Sequence, residues 1–267
     1  FSVNAAKVSL STVELLDSIT IKTDREDTDS TPYNGSKTNV VYDSTLGGLK
    51  LTNPVSNSNG TYNFVETLDL EAVFSLQIKR HFQGVGFYTG DQFDNRTELI
   101  DTWLDFDGTV ADNANAKLQV RTTNDNPTSS PTYTSFNDLA NGAFKGRAFQ
   151  FRALLETSDT AQNINLQQLG YTAFMSSRTE QSNTIASGQA ARNVTFSAPF
   201  FVGTTALGNA NNFIPAVIVS PQNMQSGDYF ELTNISGTGF TVHFKNSSNA
   251  SIDRDFTYTA VGFGKGG

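Results

Sequence analysis

Apolar and polar residues alternate with a period of two along most of this chain, and that period is the signature of strands with one buried face. Phe74, Leu76 and Ile78 alternate with Ser75, Gln77 and Lys79. Leu118 and Val120 point one way within Lys117–Thr122, and Phe149, Phe151, Ala153 and Leu155 form one face of another strand. Ile19 and Ile21, Asn39–Tyr42, Leu49–Thr52 and Asn163–Phe174 add further short strands, and Lys7–Leu16 also alternates. Pro32, Asn34-Gly35, Gly47-Gly48, Asn53-Pro54 and Asn59-Gly60 punctuate them as turns. No helical stripe persists beyond about two turns. The charged run Asp24-Arg25-Glu26-Asp27 reads as a solvated turn.

At the C-terminal end, Phe240, Val242 and Phe244 alternate with Thr241, His243 and Lys245, and Phe256, Tyr258 and Ala260 alternate with threonines. Asn246–Ala250 is a polar turn between them. The pattern predicts a closing hairpin with Phe240, Val242, Phe244, Phe256 and Tyr258 in the core. His243, Lys245 and the turn are left outside. Many short strands with frequent turns predict an all-β chain of two antiparallel β-sandwich domains. Composition changes near Ser176–Asn193, which is polar and almost free of large apolar residues. The boundaries follow: 1–177 a large, jelly-roll-like sandwich, 178–193 a linker or exposed strand, and 194–267 a small C-terminal sandwich.

Composition narrows the function. A net charge of −8 argues against a nucleic-acid-binding surface or docking on anionic membranes. No apolar run approaches the roughly 18 residues of a membrane helix, so no membrane insertion is expected. With no cysteine there is no disulfide, thiolate metal site or cysteine nucleophile. A chain that begins at Phe1 reads as a piece of a longer protein. The N-x-S/T sequons, such as Asn34, Asn193 and Asn246, arise by chance in a chain so rich in Asn, Ser and Thr.

Candidate chemistry is sparse. No nucleophile elbow, phosphate loop or dinucleotide fingerprint occurs, and neither His81 nor His243 belongs to a zinc motif. The chain is therefore expected not to be an enzyme. The acidic stretch 90–113 concentrates carboxylates, with Asp105, Asp107 and Asp112 as oxygen ligands for Ca²⁺ in one reading. A solvated acidic loop and a carboxylate pair for glycoside hydrolysis are the others. Trp103, the sole tryptophan, either stacks on a sugar or anchors that loop. Tyr229, His243, Lys245 and Asn246 are the outward candidates for ligand or subunit contact. Phe200-Phe201 suits a core or a subunit interface.

Residues 94–175 resemble a β-sandwich segment of tail-tip host-specificity, or central fibre, proteins of long-tailed bacteriophages. Asp101, Trp103, Asp107, Gly108, Leu118–Thr123, Pro127, Arg147–Arg152, Asp159 and Asn163-Ile164 carry the likeness. The C-terminal unit resembles the small sandwiches that end such fibres, and more loosely the H-type lectin fold. Val194, Phe196, Phe200, Pro215–Val219, Tyr229, Gly239–Phe244, Asn246, Arg254, Phe256, Tyr258, Ala260 and Gly262 carry that pattern. The resemblance implies a homotrimer on the distal tail of a virion, next to other tail-tip proteins. The implied partner is a host-surface glycan or outer-membrane protein. The Trp usual near the last strand of the lectin fold is replaced around Tyr258–Ala260, so no sugar-binding residue carries over.

Overall fold

The computed structural model describes residues 18–89 and 111–266. The alternation expected over Lys7–Leu16 lies outside them. The described residues form strands and turns with no helix. In chain order the strands are β1 (Ser18–Arg25), β2 (Ser36–Thr38), β3 (Val40–Asp43), β4 (Gly48–Leu51), β5 (Asn59–Asn63) and β6 (Leu68–Tyr88). Then come β7 (Ala114–Thr123), β8 (Asn137–Asp138), β9 (Gly142–Thr157), β10 (Gln162–Gln181), β11 (Ile185–Ala186) and β12 (Arg192–Thr195). The chain closes with β13 (Ala216–Pro221), β14 (Tyr229–Thr233), β15 (Gly239–Lys245), β16 (Asp255–Phe263) and β17 (Lys265–Gly266). Every registered pair is antiparallel, so the all-β, sandwich-type class read from the alternation is the fold.

Three long strands, β6, β9 and β10, build the first unit. β9 pairs with β7 along one edge and with β5 and the first half of β6 along the other. The second half of β6 pairs with β10, whose far edge takes β1 and touches β4. The sheet folds back on itself: Phe151 on β9 and Tyr171 on β10 stack at 3.8 Å although β6 lies between their strands. The alternating positions do what their period dictates. Leu76, Leu118, Phe149, Ala153 and Leu155 are all buried in one apolar cluster. Burying each leucine or phenylalanine among them is worth about 1.5–3 kcal/mol, which offsets much of the entropy of ordering these strands.

The charged run at residues 24–27 departs from its expected solvation. Asp24 and Arg25 end β1, and Glu26 is only 2% exposed. The reason is pairing: the Glu26 amide donates to Leu169 O, its carbonyl accepts from Tyr33 N, and Tyr62 Oη donates to its carboxylate. These bonds hold the segment against β10 and drag the glutamate inward.

A second cluster holds Val194, Phe196, Phe200, Val219, Phe240, Val242, Phe244, Phe256, Tyr258 and Ala260. It lies between the three-stranded sheet β12-β15-β14 and the layer formed by β13, β16 and the end of β10. The five predicted core residues of the closing segment are all buried, but the predicted hairpin is not formed. β15 pairs with β12 and β14, whereas β16 pairs with β13, β11 and β10. The segment 246–254 crosses from one sheet to the other, and the two strands meet face to face. Phe244 and Phe256 lie 5.7 Å apart, and Phe240 and Tyr258 5.2 Å apart. Alternation identifies the inward set but not the hydrogen-bonding partner.

The units interlock. β10 runs through both: its residues up to Ser176 pair with β1 or β6, and Ser177–Gln181 pair with β16. The stretch 178–193 therefore begins as the end of a long strand and includes the short β11. The pair Phe200-Phe201 is divided between the cores, Phe200 in the second and Phe201 in the first. At Gly264 (φ +97°) the chain turns back, its amide donating to Ser176 O, and β17 joins β6.

Candidate functional site

The three-stranded sheet of the second unit has one face on the core, so the period of two turns every other residue outward. On β15 these are Thr241, His243 and Lys245. On β14 they are Tyr229, Glu231 and Thr233, and on β12 Asn193. Register sets the rows: Tyr229 opposite Lys245, Glu231 opposite His243, and Thr233 and Asn193 on either side of Thr241. Phe230, Leu232, Val242 and Phe244 anchor the same strands from the other face.

The outward side chains form a linked polar ladder. Thr241 donates to Asn193 Oδ1 at 2.8 Å and accepts from Asn234 Nδ2 at 3.3 Å. His243 Nε2 lies 2.8 Å from Ser251 Oγ. Lys245 Nζ donates to Glu231 Oε2 at 2.8 Å, which lowers the Glu231 carboxyl and raises the Lys245 ammonium from their ordinary ranges. Tyr229 Oη donates to Asn249 Oδ1. Asn246 is used differently: its Oδ1 accepts from the Ser248 and Ala250 amides, both at 3.0 Å, and so builds the turn. Such a face can donate and accept hydrogen bonds over a broad, shallow area. Its one hydroxyl–imidazole contact is that of Ser251 with His243.

Four of the sequence candidates, Tyr229, His243, Lys245 and Asn246, thus fall on one face and its adjoining turn. Trp103, Asp105 and Asp107 lie outside the described residues. Asp112 is exposed just before β7, and among the described residues no three His, Asp or Glu side chains gather to hold a metal. The reading of the chain missed Glu231, Asn193 and Ser251. Glu231 was legible, because the period of two in Tyr229–Thr233 aligns it with Tyr229. Asn193 and Ser251 join the face only through strand pairing and the crossover.

The first unit carries the most perturbed acids. Burial pushes Glu26 up to about 7 and Asp24 up to about 6, and neighbouring carboxylates reinforce burial in both. Neither lines the hollow of about 320 Å³ beside them. Its polar wall is Lys22 and Glu66, tied to each other at 2.6 Å, with Thr67, and Leu207, which packs on the first core, lies across it. That geometry offers no acid–base pair to a substrate. Set beside protein-family models, curated proteins and solved structures, the chain matches none of them.

Proposed function

We propose that this chain is a non-catalytic binding region of a bacteriophage tail fibre or tail tip, carried on the virion's distal tail. In this reading a homotrimer meets a host-surface glycan or outer-membrane protein through the outward face of β14 and β15. The observation that carries it is the row Tyr229–Lys245, Glu231–His243 and Thr233–Thr241–Asn193, a continuous outward polar surface on one sheet, exposed at Glu231, Thr233 and Asn193 and half-buried at the other four. Weak contacts on such a face multiply when three copies present it together, because later contacts become intramolecular. The test is adsorption. The folded chain should bind host cells or immobilised host polysaccharide and compete with phage attachment. A double substitution, Tyr229→Ala with His243→Ala, should abolish that binding without unfolding the chain. A folded wild-type chain that binds no host surface sinks the proposal.

One observation favours a second reading, in which the chain is a structural element of the fibre. Tyr229, Lys245 and Asn246 already satisfy one another's neighbours inside the chain, through Asn249, Glu231 and the turn amides. A ligand would have to compete with these bonds. Phage whose attachment is unaffected by a large excess of the chain, or by antibodies against this face, would favour the structural role.

A further inference from the structure

The outward face of β7 and β9 in the first unit carries two arginines in an unusual setting. Register places Arg121 opposite Gln150 and Gln119 opposite Arg152. The residues after β7 fold over this face, and the Phe136 ring centroid lies 4.0 Å from Arg152 Cζ and 4.6 Å from Arg121 Cζ. The Tyr133 ring lies 4.7 Å from Arg121 Cζ as well. The glutamines fix both guanidiniums. Gln150 Oε1 accepts from Nε and Nη2 of Arg121 at 2.9 and 2.6 Å, and Gln119 Oε1 accepts from Arg152 Nε at 2.8 Å. The glutamine amides are themselves held, Gln150 by Thr67 at 2.9 Å and Gln119 by Asp138 at 2.8 Å.

What these arginines lack is a carboxylate. Arg25, Arg147, Arg178 and Arg254 each pair with an Asp or Glu, and Arg80 and Arg192 form no ion pair among the described residues but are not set side by side on one ring. Arg121 and Arg152 form no ion pair among the described residues, and their bonds to the glutamines leave both Nη groups of Arg152 and Nη1 of Arg121 without a protein acceptor there. Burial and then the charge of Arg121 hold the Arg152 guanidinium below its usual pKa. Two like charges, half-buried and side by side, are costly in a chain whose net charge is −8 and which has acids to spare. An anion bound by their remaining N–H groups offsets that cost, and a guanidinium's planar fork matches the oxygens of a carboxylate or phosphate.

We infer that Arg121 and Arg152, with Phe136 and Tyr133 beside them, form a binding site for the anionic group of an acidic polysaccharide. The aromatic rings supply the apolar border against which a sugar face rests. This site does not use the outward face of β14 and β15 and stands or falls separately from it.

The experiment follows the arginine Nε–H signals of the whole chain by NMR at constant ionic strength. The probes are a glucuronate-containing tetrasaccharide, inorganic phosphate and a neutral glucan tetrasaccharide. Saturable shifts at Arg121 and Arg152 are expected with an anionic probe and not with the neutral one. Saturation by the glucuronate probe alone identifies a uronic-acid ligand, and saturation by phosphate a phosphorylated one. In Arg152→Gln the affinity should fall by about tenfold or more, the loss of one charge-assisted contact. If that variant does not fold, the wild-type titration still decides. No saturable shift at either arginine with either anionic probe overturns the inference, as does unchanged binding by a folded Arg152→Gln chain. In those cases the stack serves only to fasten residues 132–138 to the sheet.

Discussion

The two interiors of this molecule are built on different terms. The first buries polar groups throughout: Glu26, Gln162, Asn163, Asn165 and Thr172 are all under 9% exposed. Gln162, Asn163 and Asn165 bond backbone groups of neighbouring segments with their side chains, while Glu26 and Thr172 bond other side chains. Asn163, for example, bonds both backbone groups of Leu51 with its side-chain amide, at 3.0 and 2.9 Å, and so holds β4 where the regular ladder is thin. The second interior is almost wholly apolar and aromatic, and Tyr258 sends its hydroxyl to Glu180 at its margin, 2.8 Å away. A large core can carry desolvated polar groups because its apolar burial outweighs their cost. A small one has no such reserve. The difference predicts where each unit is fragile.

The largest effect is expected from Phe244→Ala. Phe244 is fully buried between Phe230 and Phe256, so the substitution should cost about 3–5 kcal/mol, a large share of any domain's total stability. Native-state hydrogen exchange should then show β14–β16 losing protection while β7 and β9 keep theirs. If both units lose protection together, the shared strand β10 and the Phe200-Phe201 pair make the two interiors one cooperative body, and the contrast fails.

Next comes Glu26. Its carboxyl is raised to about 7, so the folded state holds a proton that the unfolded chain releases near the ordinary range of about 4.3. Where the folded chain binds more protons, stability falls as pH rises. Glu26 therefore destabilises the fold above about pH 7 and ceases to do so below the ordinary carboxylate range, and Asp24, raised to about 6, acts in the same direction. Asp27 and Glu180 are lowered and act oppositely, since their contribution is lost only in stronger acid. The melting temperature should thus be higher near pH 5 than near pH 8. Glu26→Gln keeps an acceptor for Tyr62 and should raise stability near pH 8 by about 2–3 kcal/mol. It should also flatten the pH profile. A melting temperature that does not change between these pH values removes the buried-charge account of the first core.

How much of this was readable before folding follows from what a period of two contains. It fixes which residues go inward, so Phe149, Leu118, Phe240 and Tyr258 were assigned to cores correctly. It says nothing of which strand is the neighbour, so the closing hairpin was expected and a crossover between sheets is found. Nor does it register tertiary pairing. The run at residues 24–27 reads as solvated by charge alone, yet Tyr33 nearby and Tyr62 and Leu169 from farther along the chain draw Glu26 inside. The same limit hid the stack of Arg121 and Arg152 on Phe136. Those residues are scattered over 121–152, and only the fold of the intervening segment brings them together. On the outward face, His243 and Lys245 were legible from β15 alone, and Asn193 entered only through the pairing of β12.

The smallest effect, and the sharpest contrast within the second unit, concerns two ion pairs of nearly equal length. Lys245–Glu231 spans 2.8 Å and Arg254–Asp228 spans 2.6 Å. Their surroundings differ. The Glu231 side chain is 48% exposed and the Asp228 side chain 4%. Asp228 also accepts from the Gln225 amide at 2.8 Å and from both Nε and Nη2 of Arg254, so one carboxylate fastens the start of β14 to the approach to β16. An exposed pair is screened by water and salt and loses side-chain entropy to hold its geometry, whereas an enclosed one leaves unsatisfied partners when broken. Asp228→Ala should therefore lower the melting temperature by several degrees. Lys245→Ala should move it by about one degree or less, and raising the salt concentration should erase even that. Equal shifts for the two variants would mean that the outward face of β14 and β15 is structural. A negligible one leaves Lys245 free to be changed in adsorption assays with the fold intact.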